Sequence, residues 1–102
     1  MTAPKRLSIW LDASRNLSLG NLDKALQLFQ SLDASSKISF NISAIYFQKK
    51  DFPSAIESLS NAIDLDPYLA IAHFQRGFAH YMMGDYRLAE ADYSKVIQVC
   101  NE

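Results

Sequence analysis

Three segments of this chain superpose without gaps, and that internal repetition restricts its fold more than any single motif does. They are "GNLDKALQLFQSL" from Gly20, "KDFPSAIESLSNAI" from Lys50 and "GDYRLAEADYSKVI" from Gly84. In this alignment Asn21, Asp51 and Asp85 stand where a helix N-cap accepts backbone N–H groups, and Leu22, Phe52 and Tyr86 follow as apolar anchors. Ala25, Ala55 and Ala89 then coincide, as do Phe29, Leu59 and Tyr93. A small residue followed four later by a large one lets a second helix approach closely on one side and interlock on that face. The spacings are thirty and thirty-four residues. The difference is about one helical turn, so the first unit is expected to have a shortened second helix or a clipped turn.

Each repeated segment follows another amphipathic one: "RLSIWLDASRNLSL", "SKISFNISAIYFQK" and "AIAHFQRGFAHYMM". Only three glycines and three prolines interrupt the chain, and the apolar period is helical, which predicts an all-α body. The chain therefore reads as three antiparallel helix pairs stacked in sequence, none able to bury its apolar face alone. Apolar residues make up 49% of the chain and charged ones 21%, a balance that folds rather than stays disordered. At 102 residues it is one domain at most. The expected boundaries are a flexible tail over 1–5 and a single domain over 6–102, with repeats at about 6–35, 36–69 and 70–102.

Charge excludes some partners. The formal net charge is −1, which gives no electrostatic reason to bind nucleic acid or an anionic membrane. The halves differ: residues 1–50 sum to +4 and residues 51–102 to −5. The start "MTAPKR" leads into no apolar signal core, and no window approaches the length of a membrane span. With Cys100 as the only cysteine, no internal disulfide forms, and a reducing, cytoplasmic setting without direct membrane insertion is expected. "NLS" at Asn16 and "NIS" at Asn41 match the glycosylation pattern, but no secretion signal accompanies them.

No enzyme is legible. His73 and His80 lie seven residues apart, two helical turns, too far to share a metal, and read as packed or half-exposed histidines. Cys100 has no flanking base or helix N-terminus to lower its pKa. No phosphate-binding glycine motif occurs, so no metal site, cofactor or catalytic residue is assigned. Binding remains, because stacked helix pairs present a curved surface lined by the first helix of each pair. The expected groove residues are Trp10, Phe40, Asn41, Phe74 and Phe78, with Ile71, Gln75 and Ala44 beside them. Trp10, Phe40 and Phe74 either accept an apolar segment or serve the core. Gln75 and Arg76 are expected exposed beside Phe74.

The pattern of a small residue, a "GDY"-like turn, an alanine, an aromatic and a closing proline resembles the tetratricopeptide repeat over about residues 6–98. Gly77, Gly84, Tyr86, Ala89 and Tyr93 carry it in the third unit, Tyr46, Ala55, Ala62 and Pro67 in the second, and Gly20, Ala25 and Phe29 in the first. This resemblance implies a right-handed α-solenoid. Such arrays end in a polar capping helix, whereas Val96, Ile97 and Val99 make the last helix apolar, so a further copy, a partner or a longer chain is expected there. Co-chaperones with this repeat hold a peptide's terminal carboxylate through basic and amide side chains. This sequence matches at Asn41, and Trp10, Ser14, Ile71 and Gln75 occupy the other positions.

"SKISFN" at Ser36–Asn41, followed thirty residues on by "DPYLAIAHFQRG" at Asp66–Gly77, is similar to the N-terminal repeats of the NADPH-oxidase activators. These include the neutrophil cytosolic factor of phagocytes and the fungal oxidase regulators. The resemblance implies a non-catalytic cytoplasmic adaptor, recruited to membranes through its partners. It would bind a GTP-bound Rac-type small GTPase and other NADPH-oxidase subunits, and help switch on superoxide production. In the family the GTPase docks on the loops between repeats and on an insertion after the third. By position those contacts are Ser36, Asp66 and Tyr68, with Asn101 where the family has an arginine. Ser36 and Asp66 also stand where helices begin, Asp66-Pro67 reading as an N-cap followed by a first-turn proline. The alternative is a generic or co-chaperone-like scaffold holding an apolar peptide, or its own C-terminal segment, in the groove.

Overall fold

A computed structural model describes residues 2–101. Among them are six α-helices and no strand: α1 (Ala3–Ser18), α2 (Leu22–Gln30), α3 (Ser36–Gln48), α4 (Phe52–Leu65), α5 (Ala70–Met82) and α6 (Tyr86–Cys100). The shortened second helix is present: α2 has nine residues, against fourteen in α4 and fifteen in α6. Residues 3–5, expected in a flexible tail, instead form the first turn of α1. Thr2 caps it by accepting the Lys5 N–H, and Pro4 falls in the first turn, where no N–H is required.

The three turns inside the helix pairs are built alike. Gly20, Lys50 and Gly84 take positive φ values of 81°, 60° and 82°. In each, the following residue sends its N–H five residues back: Asn21 to Asn16, Asp51 to Tyr46 and Asp85 to His80, each at 2.9 Å. The positive-φ residues donate to Leu17, Phe47 and Tyr81. These paired bonds are the Schellman arrangement, which satisfies carbonyls left over at the helix end. The expected capping side chains are only partly realised. Asp51 accepts the Ser54 N–H at 3.2 Å, but Asn21 and Asp85 make no side-chain cap bond. Asn21 bonds Asn16 Oδ1 instead.

Of the two other expected helix starts, the one at Ser36 is found and the one at Asp66 is corrected. The N-cap of α3 is Ser35, whose hydroxyl accepts the Ile38 N–H, so Ser36 is the first helical residue. Asp66 ends α4, its N–H donating to the Ala62 carbonyl, and α5 begins only at Ala70. An Asp-Pro pair suits either side of a loop; here the chain uses four residues to turn before the next helix can start.

The chain forms two compact units, residues 1–34 and 35–102. In the first, α1 packs on α2, with Ala13, Ala25 and Phe29 buried and the Trp10 ring edge-on to Phe29 at 5.4 Å. In the second, α3 packs on α4, α4 on α5 and α5 on α6. Its centre is Leu59, Ala62 and Ala72, against which Phe40, Phe47, Ile63 and Leu69 lie. Ala55, Ala79 and Ala89 are buried where helix backbones come close.

Candidate functional site

Within the unit 35–102, short turns make successive helices run in opposite directions. The start of α3, the loop between α4 and α5, and the end of α6 therefore share one end. Ser36, Asp66, Tyr68 and Asn101 all lie there. The loop is held from three sides. Asp66 Oδ1 accepts the Tyr68 N–H at 3.2 Å, the Leu69 N–H donates to the Asp66 carbonyl, and His73 Nε2–H donates to the Pro67 carbonyl at 2.9 Å. Leu69 is anchored on the core. Tyr68, at 68% exposure, is thus presented by a braced turn rather than a loose one. Ser36 is half-buried and Asn101 exposed.

His73 leads from this loop to a buried polar cluster. Asp92 on α6, 5% exposed, accepts Arg76 Nε–H at 2.9 Å and Arg76 Nη2–H at 2.7 Å. Arg76 Nη1–H donates to the Ser60 hydroxyl of α4 at 3.2 Å, so one guanidinium ties three helices. His73 Nδ1 and His80 Nε2 stand 3.9 and 3.8 Å from the same carboxylate. Arg76, expected exposed, is therefore committed inside the unit. The Phe74 ring contacts Tyr93 of α6 at 5.6 Å.

The opposite feature is apolar. A half-open pocket of about 350 Å³ is lined by Phe40, Ser43, Ala44 and Phe47 of α3, Lys50 and Phe52 at the turn into α4, and Gln75, Phe78 and Met82 of α5. Phe47 contacts Phe52 at 5.9 Å and Phe78 at 6.1 Å. Of the expected groove residues, Phe40 and Phe78 line this pocket. Asn41 and Phe74 do not, and Trp10 belongs to the other unit. Lys50, Phe47 and Met82 were missed. Lys50 had a visible signal: the repeat alignment puts it where the other two units carry Gly20 and Gly84. Among the described residues no set of acidic, histidine or cysteine side chains could hold a metal, and no helix is long and apolar enough to cross a membrane.

Comparison with known proteins agrees with this architecture. The TPR repeat model matches residues 44–84 and the Tetratricopeptide repeat model residues 70–102. The chain is 34% identical over 89 residues to the NADPH oxidase activator of Dictyostelium discoideum, covering 86% of this chain and 15% of that protein. It is 30% identical over 98 residues to human Neutrophil cytosol factor 2, covering 95% of this chain and 19% of the relative. It is also 33% identical over 95 residues to human Peptidyl-prolyl cis-trans isomerase FKBP4, covering 93% and 19%. The chain thus spans less than a fifth of the curated relatives it matches.

Two solved structures share the fold. The first TPR of Spaghetti (RPAP3) bound to HSP90 peptide SRMEEVD superposes with a TM-score of 0.86 at 22% identity, over 97% of this chain and 82% of that one. PcrH in complex with the chaperone binding region of PopB superposes with a TM-score of 0.90 at 16% identity, over 97% and 83%. With its three helix pairs, their matched turns and these likenesses, the chain belongs to the tetratricopeptide repeat family and resembles the NADPH-oxidase activators within it.

Proposed function

We propose that this interaction module is an adaptor whose loop end docks a GTP-bound Rac-type small GTPase, in the service of a superoxide-generating NADPH oxidase. The observation that carries the reading is the braced loop at Asp66–Leu69, which holds an exposed Tyr68 at the end shared with Ser36 and Asn101. A preorganised loop loses little entropy on docking. The similarity to the Dictyostelium NADPH oxidase activator and to Neutrophil cytosol factor 2 supports the choice of partner. The adaptor would act in the cytoplasm and reach the membrane through its oxidase partners.

Immobilised protein is expected to retain Rac loaded with a non-hydrolysable GTP analogue and not Rac-GDP. Tyr68→Ala should weaken retention at least fivefold without lowering the melting temperature, and Asp66→Ala, which also opens the turn, should weaken it further. Equal retention of both nucleotide states, or none at millimolar protein, overturns the proposal.

A second reading is favoured by the pocket between α3 and α5: the module holds an apolar peptide segment there. Its lining is mostly aromatic and apolar, and the HSP90 and PopB complexes share the fold. Neither reading excludes the other, since loop end and pocket use different residues.

A further inference from the structure

The buried His73 ring, 4% exposed, faces an acceptor at each of its nitrogens. The Pro67 carbonyl stands 2.9 Å from Nε2, and the Asp92 carboxylate 3.9 Å from Nδ1. A carbonyl only accepts, so the bond that braces the loop requires a proton on Nε2. The neutral ring carries one N–H. With that proton on Nε2, a lone pair on Nδ1 is turned to a carboxylate, and Nδ1 is a buried atom without a hydrogen-bond partner among the described residues. With the proton on Nδ1 instead, the Asp92 side is satisfied, but a lone pair on Nε2 meets the Pro67 carbonyl and the brace is lost. Only the imidazolium, with an N–H at both nitrogens, satisfies both acceptors.

Asp92 has room for such a partner. A carboxylate offers about four acceptor sites, and Arg76 fills one on each oxygen. The ionisable groups around the ring are Asp92 from α6, Arg76 and His80 from α5, and Asp66 from the loop, while α4 presents the Ser60 hydroxyl, bonded to Arg76. Arg76 opposes a further cation and Asp92 favours one; the two acceptors facing His73 decide in favour of the proton. His80 stands at the other carboxylate oxygen, seven residues along α5 from His73 and away from the loop.

We propose that His73 is a proton-operated brace: uptake of a proton from solvent at Nδ1 pairs the ring with Asp92 while Nε2–H holds Pro67, so the end presenting Tyr68 becomes better ordered as the solution turns acidic. The consequence for docking rests on the GTPase reading above, whereas the order of the loop does not.

On the full chain, the His73 ring nitrogens are followed by long-range proton–nitrogen correlation from about pH 8 to about pH 5. Hydrogen-exchange protection is measured alongside at the Leu69 amide, which closes the loop on the Asp66 carbonyl. Nδ1 is expected to change from a lone pair to an N–H while Nε2 stays protonated. Leu69 protection, corrected for the intrinsic exchange rate, should rise at least about threefold in step with it. His73→Gln, whose side-chain N–H reaches toward the same carbonyl without titrating, should keep the protection and lose its pH dependence; His80→Gln should keep both. A ring that stays neutral throughout, protection that ignores its titration, or a pH dependence that survives His73→Gln overturns the proposal. Rac loaded with a GTP analogue should be held more tightly by the parent, relative to His73→Gln, at the acid end. Absence of retention at every pH, with the loop still tightening, overturns the docking reading and leaves the brace.

Discussion

Asp92 is the buried carboxylate of the described residues, and its environment explains why it is tolerated. Two guanidinium N–H groups satisfy its oxygens, and two imidazoles flank it. Removing one partner of a buried pair leaves a charge uncompensated, which costs about 3 kcal/mol or more, whereas replacing both by apolar groups is far milder. Asp92→Ala is therefore expected to lower the unfolding free energy by about 3 kcal/mol, and Arg76→Met with Asp92→Leu to recover most of that loss. Denaturant titration of Arg76→Met, Asp92→Leu and the double variant decides it; additive losses would show that the groups are not coupled. None of this pairing was legible beforehand. Arg76 and Asp92 are sixteen residues apart on different helices, and a solvated arginine reads the same in sequence as one paired to a buried carboxylate. Lys50 is the contrary case. Its aligned position already marked a left-handed turn residue, yet only the structure shows the pocket at its side.

At the scale of helices, the close approach of α5 and α6 depends on Gly77. A Cβ at that position would lie 2.9 Å from Tyr93 Cε1 and 3.2 Å from Asp92 Cβ. The tyrosine ring cannot swing freely, since Phe74 packs on it. Gly77→Val is expected to cost about 2 kcal/mol through overpacking. Gly77→Ala should lose less, because the better helix propensity of alanine returns up to about 1 kcal/mol. Thermal melts of both variants test the order, and a stabilised valine variant would contradict the packing. The small-residue role of Gly77 and the short α2 were both readable from repeat spacing. Asn21 and Asp85 stand at the expected N-cap positions without side-chain cap bonds, and Asp66 alone is misplaced. All three carry side chains able to cap, but whether such a group caps depends on the path of the loop: Asp51, in a turn of the same kind, does cap, through the Ser54 N–H.

Across the whole molecule, the two units differ in how much they can bury alone. Residues 1–34 contain one helix pair with Ala13, Ala25 and Phe29 buried, whereas residues 35–102 bury Ile45, Leu59 and several alanines among four helices. Single helix pairs are unstable in isolation, and a nine-residue helix is too short to persist in water. A fragment of residues 1–34 is expected to be mostly unfolded by circular dichroism, and one of residues 35–102 to stay helical. A cooperative melt of the shorter fragment would refute this. By itself the sequence determined the all-α class, the number of helix pairs, their boundaries to within a few residues and the family, because these follow from local periodicity and from turns repeated in phase. Tertiary structure alone decided which arginine pairs with the buried Asp92, which of the aromatic residues share a pocket, and that Asp66 closes one helix instead of opening the next. Those outcomes depend on distances between residues far apart in the chain, which no local pattern encodes.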